Sequence, residues 1–296
     1  MMKQIFFLIL LLSAGTVFGQ TARNFSIEGH RGARGYVPEN TIPSFIKALE
    51  QGSDTIELDV VVSKDLKLVV SHEPYFSSVI SLDPDGNAIP AEKQKEHNIF
   101  KMEYSEIKKY DVGTLGNKDF PQQQKIKVHK PLLSEVFLDI QKYVKDNNLP
   151  RPRFNIEIKS TPEGDNIFEP IPAVFAKMVY DEILKYKMEK YVIVQSFDVR
   201  PLQVLNKMPK KLPLALLVGN KDGIEKNLAK LGFKPDTYSP HFSLVDQPTV
   251  DYCVKSGLKI VPWTVNEIAD LEKMKQFKLD GIITDYPDRA VQVFKK

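Results

Sequence analysis

Cysteine is nearly missing from this sequence: its 296 residues include one, Cys253. A single thiol excludes an internal disulfide framework, so stability must come from core burial. Cys253 sits in "VDYCVKSG", where a buried, inert thiol is expected. An excess of charge of one sign is also missing. The net charge is +3, with Lys and Arg spread among acids, which reads as a solvated surface and excludes a nucleic-acid partner. Internal repeats and low-complexity stretches are absent as well. Long hydrophobic runs are missing except at the start, "MMKQIFFLILLLSAGTVFGQ". That run is shorter than the about 20 residues a membrane span needs. Its positive start, apolar middle and small residues follow the plan of a secretory signal peptide, residues 1–19, cut between Gly19 and Gln20. No cysteine follows it for a lipid anchor. The expectation is an exported chain, periplasmic or secreted, with no stable membrane anchor.

What remains alternates. Apolar, β-branched runs ("FSIEGH", "TIELDVVVS" with "KLVVSHE", "RFNIEIKS", "YVIVQSF", "LPLALLVG", "DTYSPHF", "KIVPWTV", "GIITDYP") are separated by segments with apolar residues at helical spacing. About eight such alternations predict a closed parallel α/β barrel of the TIM (β/α)8 type. One domain over residues 20–296 suits that size. Asn40 or Thr41 is placed to cap the first helix, with Pro43 in its first turn, and Gly52 and Gly257 to end helices. Residues 75–130 break the rhythm with prolines, glycines and little periodicity, and read as an ordered insertion over the barrel mouth. A short helix is expected within "FKMEYSEIKKYDVG".

In such a barrel, chemistry gathers where the strands end. His30 closes the first strand, in "EGHRGARG"; His72 follows "KLVV"; Gln195 and Trp263 fall late in theirs. Glu57 and Asp59 are two apart, so one strand aims both the same way, and Glu157 and Lys159 repeat that phase. Both faces of a parallel sheet are covered, so these acids are buried and need compensation. Glu57, Asp59 and Glu157 suit one hard divalent ion, Ca²⁺ or Mg²⁺, better than Zn²⁺. The other solution is neutralisation by Arg31 and Lys159. Two histidines beside cations and a carboxylate-held metal suit an anionic phosphodiester, one imidazole taking a proton and the other giving one. His97 and His129, inside the insertion, read as surface histidines, and His241 is undecided.

The stretch "HRGARGYVPENTIPSFIKALEQGSDTIELDVVVSKDLKLVVSHE", followed in order by "NIEIKS", "VIVQSFD", "VPWTVN" and "DGIITDYP", resembles the glycerophosphodiester phosphodiesterases from Glu28 to Pro287. The resemblance implies a TIM barrel, a divalent cation, and hydrolysis of deacylated phospholipid headgroup diesters, such as glycerophosphocholine and glycerophosphoethanolamine, to sn-glycerol 3-phosphate and an alcohol. Carried over by motif, His30 and His72 are the acid–base pair and Glu57, Asp59 and Glu157 the metal ligands. Arg31 and Lys159 contact phosphate, Trp263 shapes the glycerol side of the pocket, and Glu39 is a supporting polar residue. Glu73 stands where the family often has aspartate, which keeps the charge. Two other readings compete: a barrel phospholipase acting on intact or lyso lipids, and a non-catalytic phosphodiester-binding protein.

Overall fold

A computed structural model describes residues 25–295. The expected signal peptide and its cleavage point lie outside the described residues. Nine strands are described: β1 (Ser26–Gly29), β2 (Thr55–Val62), β3 (Leu68–Val70), β4 (Arg153–Ile158), β5 (Val192–Ser196), β6 (Leu214–Val218), β7 (Thr237–Pro240), β8 (Lys259–Ile260) and β9 (Gly281–Thr284). The helices are α1 (Ile42–Glu50), α2 (Tyr104–Ile107), α3 (Leu133–Asp146), α4 (Pro172–Lys185), α5 (Val199–Asn206), α6 (Ile224–Leu231), α7 (Gln247–Ser256), α8 (Ile268–Lys275) and α9 (Pro287–Phe294). Every strand except β3 runs parallel to its neighbours, in the order β8-β7-β6-β5-β4-β2-β1-β9. The β8–β9 seam is bridged by backbone bonds from Asp280 to Ile260 (3.0 Å) and from Ile283 to Pro262 (2.9 Å). The result is a nearly closed barrel of eight parallel strands alternating with helices, the TIM-type fold expected.

The local signals explain the elements. Thr41 caps α1, its Oγ1 accepting from the Ser44 N–H. Gly257 ends α7 at φ +64, a left-handed turn that glycine adopts without strain. Along β2, Ile56, Leu58 and Val60 are fully buried and join Phe137, Phe154 and Ile156 in the core between sheet and helices. By alternation Thr55, Glu57 and Asp59 face the barrel interior. Cys253 is buried, as expected, and burial pushes its thiol up to about 12.

β3 is short and antiparallel to β2, pairing Val61 with Val69. Those two valines form a second apolar core with Phe76, Ile99, Ile107 and Tyr110 of the following segment. Val61 shares the phase of Glu57 and Asp59, so this segment packs on the upward continuation of the barrel's inner face. The short helix expected there is α2. The Gln123 amide donates to the Arg34 carbonyl (2.8 Å) and the Asn98 amide to the Ile167 carbonyl (2.8 Å). The insertion is thereby tied to the loops after β1 and β4. Among the described residues, no helix is long and apolar enough to cross a membrane.

Candidate active site

"EGHRGARG" is the turn that carries β1 into α1. Arg31 adopts a left-handed backbone at φ +51, followed by Gly32 at φ +88. A side chain at Gly32 would collide with Ser44, whose hydroxyl accepts from the Ala33 N–H and donates to the Arg31 carbonyl. The strained turn has a use: it aims the Arg31 N–H at Glu57 Oε2 (2.8 Å). The Arg31 side chain reaches Glu39 Oε1 (2.7 Å) and lies 3.4 Å from Asp59 Oδ2. Against the upward push of burial, Arg31 and Arg34 hold Glu39 down at about 2.

The parallel register sets Asp59 beside Glu157. Glu57, Asp59 and Glu157 are all buried, each offering a carboxylate oxygen within 4.8 Å of the others. The Asn40 amide donates to Asp59 Oδ2 (2.8 Å), the Gln195 amide to Glu57 Oε1 (2.9 Å), and Lys159 Nζ to Glu157 Oε1 (2.9 Å). Lys159 Nζ also lies 3.9 Å from Asp59 Oδ1. Burial opposes ionisation of Asp59, but His72, Arg31 and Lys159 hold it well below the carboxylate range. Burial is the largest influence on both Glu57 and Glu157, and both shift upward; the neighbouring acids come next at Glu57, whereas at Glu157 the opposing pull of Lys159 comes next, ahead of the push from Asp59. Asp59 Oδ1 is buried without a hydrogen-bond partner. Arg31 and Lys159 therefore offset only part of the cluster's charge. An orphaned oxygen within an all-carboxylate donor set fits a hard divalent cation.

The two histidines flank this cluster. His30 Nδ1 lies 2.7 Å from Asp285 Oδ1, and His72 Nδ1 lies 2.7 Å from Glu73 Oε1. A carboxylate only accepts, so each Nδ1 carries the proton and each Nε2 is left for chemistry. Burial foremost, then Arg34, lowers His30 to about 4 against the opposing pull of Asp285. Both rings line a cavity of about 200 Å³ with Arg31, Glu57, Glu157 and Trp263. The Trp263 indole N–H donates to the Ser239 carbonyl (2.9 Å), which fixes the ring at the wall. All eight residues expected at the site thus converge on one end of the barrel, although Lys159 turns onto the carboxylates.

Other residues at the mouth were not foreseen. Asp285 follows β9 and also accepts two bonds from Arg34 and one from Asn266. Its signal was an acid directly after the last apolar strand, in "TDYP". Arg34 was visible only as a second arginine in the glycine-rich turn. Glu73, noted as a departure, is the partner of His72. His97 departs from the surface reading: it is half-buried, with Nδ1 2.8 Å from the Tyr110 hydroxyl. His129 is exposed, as expected. His241 bonds Ser243 and sets its ring edge-on to Trp263 at 5.1 Å.

Comparison with known proteins agrees with this fold. A glycerophosphodiester phosphodiesterase of Caldanaerobacter subterraneus is 33% identical over 270 residues, covering 90% of this chain and 96% of its own. A crystal structure from Silicibacter pomeroyi superposes with a TM-score of 0.80 at 29% identity, covering 92% of this chain and 93% of that one. An Oleispira antarctica phosphodiesterase, solved in complex with the product sn-glycerol-3-phosphate, has a TM-score of 0.72 at 21% identity, covering 92% and 97%. The model of the glycerophosphoryl diester phosphodiesterase family matches residues 30–289. The chain belongs to that family and is an enzyme of its kind.

Proposed function

We propose that the chain hydrolyses glycerophosphodiesters to sn-glycerol 3-phosphate and an alcohol, with His30 as base and His72 as acid. The observation that carries this is the pair of imidazoles, each pinned through Nδ1 to a carboxylate on either side of one cavity. His30, held neutral by its burial, is suited to take the proton from the attacking oxygen. His72, nearer solvent, is suited to protonate the departing alcohol. The attacking oxygen is the glycerol 2-hydroxyl or water, and a cyclic glycerophosphate in rapid-quench samples would identify the first. Arg31 and Lys159 compensate the charge that grows on phosphate, and Trp263 walls the glycerol side. Glu57, Asp59 and Glu157 would hold one Ca²⁺ or Mg²⁺. When bound, that cation supplies further charge compensation at the phosphate oxygens.

Glycerophosphocholine and glycerophosphoethanolamine are the substrates to try. The test is glycerol 3-phosphate release, before and after exhaustive chelation and with each cation restored. Loss and recovery are expected; turnover unchanged without divalent ions would remove the metal from the reading. A second reading, cleavage of lyso lipids, is favoured by exposed Ile167 and Phe197, 51% and 44% accessible in the loops after β4 and β5. Relative turnover of lysophosphatidylcholine decides it. The N-terminal segment supports an exported enzyme, periplasmic or secreted, which fractionation with N-terminal sequencing would check.

A further inference from the structure

Beneath the mouth, the barrel interior carries a line of polar side chains that ends on Glu57 of the acidic cluster. Glu28 (β1), Asn155 (β4), Gln195 (β5) and Glu57 (β2) are all buried. The Asn155 amide donates to Glu28 Oε2 (2.8 Å) and to Gln195 Oε1 (3.0 Å), and the Gln195 amide donates to Glu57 Oε1 (2.9 Å).

The order of donors in this column follows from its end on Glu57. With a cation bound Glu57 would be ionised and only accept, so Gln195 presents its NH₂, which leaves the Gln195 oxygen needing a donor. Asn155 supplies it, and its remaining N–H finds Glu28. Turning the Asn155 amide over would set its oxygen against the Gln195 oxygen. The arrangement has a visible cost, since Asn155 Oδ1 is buried without a partner. At the other oxygen of Glu57 stands the Arg31 N–H (2.8 Å). The carboxylate is thus pinned once at each oxygen, from above by a turn and from below by the column. Glu28 sits at the amino end of the barrel, on a cavity of about 400 Å³ that Thr237, Ser239 and Lys259 also line.

We propose that Glu28 and Asn155 are positioning residues for the cation site, acting through Gln195 to fix the plane of the Glu57 carboxylate from the opposite end of the barrel. This rests on the cation reading of Glu57, Asp59 and Glu157. Partners of metal ligands commonly change affinity by about 10–100-fold when lost. The column extends that influence two side chains further.

Calorimetric Ca²⁺ titration tests it without turnover, followed in parallel by emission of Trp263, the one tryptophan in the sequence, which lines the upper cavity. Asn155→Leu and the near-isosteric Asn155→Asp are both expected to weaken Ca²⁺ binding about tenfold or more. Should the leucine variant fail to fold, the aspartate variant carries the test. Glu28→Leu weakens binding, whereas Glu28→Gln keeps an acceptor oxygen and stays near wild type. Thr237→Val, on the same lower cavity but outside the column, leaves binding unchanged. The proposal is overturned if folded Asn155→Asp binds as wild type does, or if Thr237→Val weakens binding equally. A wild-type chain that binds neither Ca²⁺ nor Mg²⁺ removes the cation reading itself, and this proposal with it.

Discussion

The two sides of the barrel mouth use the same device in different surroundings. On the β1–β9 side, the His30 and Asp285 side chains are 13% and 1% exposed, and Arg34 and Asn266 also bond the aspartate. On the β3 side, His72 and Glu73 are 28% and 38% exposed, and the glutamate is the histidine's immediate neighbour in sequence. A carboxylate locked by other bonds fixes both the tautomer and the orientation of its imidazole. A half-exposed one orients its ring but leaves room for movement and water. Under the proposed roles, the difference suits His30 to act as a fixed neutral base and His72 as an accessible acid where a variable alcohol leaves.

The largest effects should come from removing the rings. His30→Ala and His72→Ala are each expected to lower kcat for glycerophosphocholine by about 10²–10⁴-fold. A nitrophenyl ester separates them, because such a leaving group departs without protonation. His72→Ala should recover most of its rate on that substrate and His30→Ala should not. Equal recovery would break the asymmetry.

Next come the partners. Asp285→Asn should cost about a hundredfold or more in kcat, since an amide can turn its NH₂ toward the ring and select the wrong tautomer. Glu73→Gln should cost less than about tenfold, because water competes for an exposed pair. Nitrogen chemical shifts of the two rings would report the tautomers directly.

The last comparison is of stability, and it sets mouth against floor. Folded His30 titrates at about 4 and folded Glu28 at about 7, against ordinary values of 6.5 and 4.5. Between pH 4 and 6.5 the unfolded chain binds more protons at His30, so its contribution to stability falls as pH falls. Glu28, pushed up mainly by burial, works the other way: its contribution is complete below pH 4.5 and is lost as pH rises through about 7. Each is worth roughly 3 kcal/mol at the ends of its window, at about 1.4 kcal/mol per unit. With Ca²⁺ saturating, melting curves of His30→Asn should lose the acid-side decline and those of Glu28→Gln the alkaline one.

Much of the site could be read from strand phase. Glu57, Asp59 and Glu157 stood out because spacing by two inside apolar runs puts charges on one side of a buried strand. Glu28 and Asn155 share the phase of His30 and Glu157, but lie two residues earlier, where attention to strand ends passes over them. Asp285 escaped because an acid before Tyr-Pro also reads as a turn opening the last helix. The pairing of β3 with β2 and the second core around Phe76 escaped for another reason. Three residues make too short a run to show which strand they join, and contacts across an irregular segment leave no period in the sequence.

The β2–β3 hairpin is apolar on both sides. Val60 and Val70 look to the helices, while Val61 and Val69 look to the insertion. The insertion therefore rests on two valines of this hairpin, besides its bonds to the loops after β1 and β4, whereas the three clustered acids and His30 belong to the barrel frame. Substitutions confined to the insertion should thus alter the surroundings of His72 while the strand-borne acids stay as they are.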